Sequence, residues 1–197
     1  MVTGVDIAVV GATGLVGQEF LRILEHHPLR INRLKLLASK RSAGTNIKVR
    51  GCSLRVEEAT PESFEGIDFA FISVSGEVSS QLAPEAVKRG ALVIDDSAAF
   101  RMKPEVPLVI PEVNGSDVEW HEGIIAIPNC STTQLVMALY PLHRANPLKR
   151  VLVSTYQSVS GAGKAALDEL RIQREEMKVK GPSIPAVFPF RIASKAS

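Results

Sequence analysis

The chain has 197 residues, 45% hydrophobic and 22% charged, with a formal net charge of +2. This is the balance of an ordinary globular protein, long enough to bury a core without metals or disulfides. Basic residues are spread along the chain, which argues against a nucleic-acid partner. Two cysteines, Cys52 and Cys130, are too few for a disulfide framework and suit a reducing cytosol. No apolar stretch is long enough to span a membrane. The opening residues carry no charged leader and no cleavage site, and read as a buried strand rather than a signal peptide.

In chain order, Val5–Val10 is a continuous β-branched run, the pattern of a strand covered on both faces. A glycine turn follows. Leu15–His27 then carries Leu15, Phe20, Leu21 and Leu24 at helical spacing, with Pro28 as its stop. Leu34–Leu37 is a second apolar run, ending in the polar loop Ser39–Gly44. Val49–Val56 reads as an edge strand and Asp68–Val74 as another buried one. Val78–Arg89 is helical and ends at Gly90. Ala91–Ile94 is strand-like, Phe100–Gly123 is loop-like, and Ile124–Ile127 is a further short strand. Ser131–Arg144 reads as a helix, Arg150–Val159 as a long alternating strand, and Ala165–Val179 as a charged amphipathic helix. Strand and helix in alternation imply an α/β fold, a doubly wound parallel sheet of Rossmann type. The change of character at Pro128 suggests a boundary between residues 1–127 and 128–197.

The turn after the first strand reads Gly11-Ala12-Thr13-Gly14-Leu15-Val16-Gly17. Glycines here let the backbone turn tightly and approach a pyrophosphate, while amides at the helix start face its oxygens. The spacing is Gly-x-x-Gly-x-x-Gly, and its position between first strand and amphipathic helix is what points to a dinucleotide. NAD enzymes usually place an acid at the end of the second strand. Here that loop is Ser39-Lys40-Arg41-Ser42, with two cations and two hydroxyls suited to a 2′-phosphate, so NADP is expected.

Cys130 lies in Ile127-Pro128-Asn129-Cys130-Ser131-Thr132-Thr133, where a strand ends and a helix begins. A thiol at a helix N-terminus has its thiolate favoured by the dipole and free amides, and makes a nucleophile toward an aldehyde or acyl group. Cysteine is more often an inert buried residue, which is the expected role of Cys52. No metal site is expected.

The segments GATGLVG, ASKRSAG, VIDDSAAFRM, VPLVIPEVN, PNCST and STYQSVSGAG, in this order, resemble the aspartate-semialdehyde dehydrogenase family from Val5 to about Gly163. The resemblance implies an NADP-dependent enzyme of lysine, threonine and methionine biosynthesis, cytoplasmic and homodimeric, interconverting aspartate 4-semialdehyde and 4-aspartyl phosphate through a thioester on Cys130. It implies that residues 128–197 begin an α+β catalytic and dimerisation domain. It also implies phosphate binding by Arg101, substrate orientation by Gln157, a part in the acyl pocket for Asn129, and a second cofactor contact from Ser160 and Gly161.

Two departures stand out. The family usually has asparagine at Asp96, and an added negative charge would oppose phosphate binding unless neutralised. The family's general-base histidine, a substrate-binding arginine and an acidic substrate contact come later than Ser197, and His26, His27, His121 and His143 match none of them. A chain cut short, with exposed apolar surface and reduced stability, is therefore expected. N-acetyl-glutamyl-phosphate reductase, a relative with Pro-Gly-Cys-Tyr at its nucleophile, is an alternative, as is a non-catalytic NADP-binding fragment or an inactive remnant. A short-chain dehydrogenase needs tyrosine four residues before lysine, whereas Tyr140 precedes Arg144 and Tyr156 precedes Ser160.

Overall fold

The computed structural model describes residues 4–178 and 185–193. The chain divides into two compact units, Met1–Leu152 and Val153–Ser197. In the first, seven strands form one sheet: β1 (Val5–Val10), β2 (Ile31–Ala38), β3 (Asn46–Val49), β4 (Cys52–Glu58), β5 (Phe69–Ile72), β6 (Leu92–Asp95) and β7 (Ile124–Ala126). Their order is β3-β4-β2-β1-β5-β6-β7. All neighbours pair parallel except β3 with β4. The order reverses beside β1: β2 and β4 lie on one side of it, and β5, β6 and β7 on the other. This is the doubly wound arrangement, in which ligands generally bind outside the carboxyl ends of the strands where the order reverses.

The continuous apolar run of β1 is explained by cover on both faces. Ile7 and Val9 pack in one cluster with Leu21 and Leu24 of α1 (Leu15–His26). Ala8 and Val10 pack in the other with Ala83 and Ala86 of α2 (Gly76–Lys88). Phe20 of α1 stacks on Phe71 of β5, with centroids 4.1 Å apart. Alternate side chains of a strand point to opposite faces, so both parities must be apolar when helices cover both sides.

Three expected elements differ. Val49–Val56 is a hairpin, not one strand: Arg50 and Gly51 both take positive φ, at 49° and 80°, which suits a tight two-residue turn between β3 and β4. The sheet edge is therefore β3, and Cys52 opens the strand behind it. Phe100–Gly123 contains α3 (Pro111–Asn114) and a 3₁₀ turn at Gly115–Trp120. Asn114 organises both, accepting from Ile110 N at 2.8 Å and donating to Leu108 O at 2.9 Å and Asp117 Oδ2 at 2.8 Å.

The third difference is Arg150–Val159, which forms no strand. Residues 151–158 are exposed and unpaired in any ladder. An alternating pattern yields a strand only when a neighbour supplies backbone hydrogen bonds, and no strand follows β7 among the described residues.

After β7 comes α4 (Cys130–Ala145), none of whose residues is buried. In the second unit, Val159–Ala162 is a 3₁₀ turn and α5 spans Lys164–Lys178. Val179, the last residue of the expected helix, lies outside the described residues. The buried carboxylate of Glu169 on α5 accepts from Ala186 N and Val187 N, and the Gln173 side-chain oxygen accepts from Ile192 N and Ala193 N. These bonds hold 185–193 against α5. Among the described residues, no helix is long and apolar enough to cross a membrane, and no cluster of three His, Cys, Asp or Glu could hold a metal.

Candidate functional site

The glycine turn sits between the carboxyl ends of β2 and β5. Gly11 N and Ala12 N both donate to Leu37 O, at 2.9 and 3.1 Å, which fixes the turn beside the loop that leaves β2. Gly11 has φ +87°, and a Cβ there would overlap the carbonyl oxygen of Ser73, just beyond β5. Gly17 lies against the turn itself, where a Cβ would overlap Gly11 O. Gly14 is the exposed N-cap of α1. First-turn amides of a helix have no intrahelical acceptor, so those of α1 face outward around Thr13 and Gly14. Leu15 and Val16 are 48% and 47% exposed, apolar side chains placed at the rim of this cradle.

The loop after β2 is a compact turn. Ser42 N donates to Ser39 O at 2.8 Å, and Thr45 Oγ1 to Ser42 O at 2.9 Å. Lys40 and Arg41 are exposed and make no hydrogen bond or ion pair with any described residue. The two cations at this corner are thus unspent, and the cradle and the cationic loop adjoin through Leu37.

Across the sheet, β6 ends in Asp95-Asp96-Ser97. Asp95 is fully buried; Ser79 Oγ donates to it, as do Ser97 N at 3.1 Å and Ser97 Oγ at 2.8 Å. This ties the turn to α2. Asp96 accepts from Ser73 Oγ at 3.0 Å. Burial pushes its carboxyl above the ordinary aspartate range, against the lowering effects of the Ser73 hydrogen bond and the Arg101 charge. Arg101 donates through Nη2 to Asp96 O at 2.8 Å and through Nε to Ile127 O at 2.9 Å. Its guanidinium therefore bridges the ends of β6 and β7.

Cys130 follows β7 by four residues and is exposed at the first position of α4. Asn129 is the N-cap: its Oδ1 accepts from Ser131 N at 3.1 Å and Ser131 Oγ at 2.7 Å, which leaves its side-chain NH₂ unspent. Pro128 is buried and fixes the entry of the chain into the helix. The second unit presents its own candidates. Gln157 is exposed and donates to Thr155 Oγ1 at 3.3 Å. Ser160 N and Gly161 N point back to Ser158, whose Oγ lies 2.7 Å from Ser160 Oγ.

Three of the four histidines accept a backbone N–H through Nδ1: His27 from Leu29, His121 from Gly123 and His143 from Leu148. They brace turns. Sequence reading missed Ser73, which lies at the reversal of strand order and touches both the glycine turn and Asp96. The signal was present, since Ser73 directly follows a buried strand, but its meaning depends on knowing that β5 pairs with β1.

A family model described as "Semialdehyde dehydrogenase, NAD binding domain" matches residues 6–121, and one described as "Semialdehyde dehydrogenase, dimerisation domain" matches 139–196. The chain is 53% identical over 188 residues to an aspartate-semialdehyde dehydrogenase of Bacillus subtilis, covering 95% of this chain and 54% of that protein. The fold is similar to that of aspartate semialdehyde dehydrogenase II from Vibrio cholerae complexed with ASA, with TM-score 0.91 and 38% identity over 97% of this chain and 57% of that one. It is also similar to aspartate semialdehyde dehydrogenase with NADP from Candida albicans, with TM-score 0.61 and 28% identity over 74% of this chain and 48% of the other. The chain thus spans about half the length of the relatives it matches.

Proposed function

The chain belongs to the semialdehyde dehydrogenase family, and we propose that it is the cofactor-binding and thiol-bearing part of an aspartate-semialdehyde dehydrogenase. One observation carries this reading: a glycine cradle and an exposed cysteine at a helix start stand at the carboxyl end of one parallel sheet. The strands that lead to them, β1 and β7, are three strand spacings apart, about 14 Å.

NADP fits the cradle, since Gly11 and Gly17 let the backbone close into a tight turn at the start of α1, where Ser73 O and Gly11 O leave no room for a Cβ, and Arg41 offers an unspent fork of donors. Gly11, Thr13, Gly14, Leu15, Val16 and Gly17 would hold the pyrophosphate, and Ser39, Arg41 and Ser42 the 2′-phosphate. Ser160 and Gly161 would add a second contact. When bound, NADP⁺ supplies the hydride acceptor.

The Cys130 thiolate adds to the aldehyde carbon of aspartate 4-semialdehyde to give a thiohemiacetal. Loss of hydride leaves a thioester on sulfur. Phosphate, held by Arg101, attacks the acyl carbon and expels the thiolate, giving 4-aspartyl phosphate. Asn129, through its unspent NH₂, stabilises the acyl oxygen, and Gln157 orients the substrate. We assign residues 1–127 to cofactor binding and 128–197 to the start of the catalytic and dimerisation part. The match of 139–196 to a dimerisation domain and the exposed Met137 and Leu142 of α4 support a homodimer. Two free cysteines support a cytosolic setting.

The test follows NADPH formation from aspartate semialdehyde, with and without phosphate, beside Cys130→Ser, together with an NADP titration. Phosphate-dependent turnover lost in Cys130→Ser supports the full reading. NADP binding without turnover supports the cofactor assignment and places the general base outside these residues, since loss of such a base costs roughly a hundred- to ten-thousandfold in rate. Absence of NADP binding refutes the proposal.

A further inference from the structure

The arginine assigned to phosphate has a carboxylate built against it. Arg101 and Asp96 side chains are 20% and 23% exposed, and Arg101 Nη2 stands 3.9 Å from Asp96 Oδ1. The same Nη2 donates to Asp96 O, and Nε to Ile127 O. Nη1 donates to no described residue, and its two N–H groups, with the second N–H of Nη2, are left for an oxyanion. Asp96 is itself fixed from the other side by Ser73 Oγ, on the loop that touches Gly11. The carboxylate is therefore held in place at short range from any anion on Arg101.

Resting on the reading of Arg101 as the phosphate-binding group, we propose that Asp96 sets the oxyanion affinity of the site, its fixed carboxylate offsetting the Arg101 charge so that phosphate is held loosely. The chemistry gives this a purpose. Phosphate reacts here as a nucleophile, and a tight ion pair would draw electron density from the attacking oxygen. Binding the ground state more strongly adds nothing to the rate of the step itself. Asp96 acts through Arg101 and is a positioning residue, not a catalytic one. The other charged group facing it is Asp95, which burial and three hydrogen bonds keep in place.

The test is phosphate protection of Cys130. The protein, saturated with NADP, is alkylated with iodoacetamide at rising inorganic phosphate, and modification at Cys130 is read by peptide mass spectrometry. Neutral Asp96→Asn is expected to lower the half-protecting phosphate concentration roughly three- to tenfold, by removal of one nearby like charge. Asp96→Ser, also neutral, moves it the same way. NADP affinity stays within about twofold in both, because Asp96 reaches the cradle only through the Ser73 hydroxyl, and the Ser73 backbone is held independently by Ser73 N on Val10 O. A gain in affinity is an outcome that structural damage does not produce. Unchanged or weaker phosphate binding in either folded neutral variant overturns the proposal. If wild-type protection is at the same time lost in Arg101→Ala, the reading of Arg101 stands. No protection in the wild type overturns both.

Discussion

Gly17→Ala sets two effects of opposite sign against each other. Gly17 lies inside α1, where alanine gains about 1 kcal/mol of helix propensity over glycine. Against that gain, the new Cβ would overlap Gly11 O and stand 2.8 Å from Gly11 C and 3.0 Å from Ala12 Cα. These are backbone atoms of a turn tied by two hydrogen bonds to Leu37 O, so they cannot swing aside like the end of a side chain. Overpacking of this kind typically costs about 1–3 kcal/mol. Because every neighbour of that Cβ is backbone, the cost falls in the upper part of this range, about 2–3 kcal/mol, and after the propensity gain a net loss of about 1–2 kcal/mol is expected. In a body of about 150 residues this lowers the melting temperature by roughly 2–8 °C. The forced opening of the cradle weakens NADP by at least about tenfold, or ~1.4 kcal/mol. Thermal unfolding by circular dichroism and a fluorescence titration of NADPH read both effects. Gly14→Ala is the control for the melting temperature, since its Cβ would meet only Gly11 O, at 3.1 Å. A Gly17→Ala protein that melts at or above the wild-type temperature and keeps its NADPH affinity would refute the argument that close backbone approach dictates this glycine.

Three further outcomes are expected. Asp96 has its carboxyl raised by burial, so the fold favours the protonated form; that contribution to stability is full below the ordinary carboxylate pKa and is lost as pH rises through the folded value. Asp96→Asn should therefore raise the melting temperature at pH 7, with the difference closing as pH falls to about 4 or below, and a constant difference across the range would contradict it. Arg50 donates to Leu24 O, His27 O and Leu29 O and so closes the carboxyl end of α1. Arg50→Ala should cost about 1.5–3 kcal/mol in urea unfolding, and Arg50→Gly less, because glycine removes the strain of φ 49°. Glu169→Ala should release 185–193 from α5, seen as faster hydrogen exchange at Ala186, Val187, Ile192 and Ala193 with little change in β1–β7; unchanged exchange would show that the carboxylate does not hold the segment.

Much of the nucleotide-binding sheet is legible in the sequence because it obeys local rules. A strand buried on both faces must be apolar at every position, so β1 and β5 announce themselves. A helix that packs on a sheet repeats its apolar residues every three or four positions, as Leu21 and Leu24 do. The glycine cradle is also local, since it needs positive φ at Gly11 and no Cβ at Gly17. The hairpin at Arg50-Gly51 was less visible. Arginine rarely takes positive φ, and it does so here while its guanidinium binds carbonyls of a helix more than twenty residues earlier.

What only the tertiary structure decided is which residues meet. Ser73 lies more than twenty residues before Asp96 and Arg101, and nothing local joins it to them. They come together because parallel strands place their carboxyl ends on one edge, and the order of pairing brings β5 between β1 and β6. Nor could the sequence say that Arg150–Val159 lacks a ladder, because an alternating pattern specifies a strand only when a neighbour completes its hydrogen bonds. Composition and spacing fixed the kinds of element and the place of Cys130 at a helix start; pairing partners, which cost chain entropy to bring together over long separations, fixed what surrounds them.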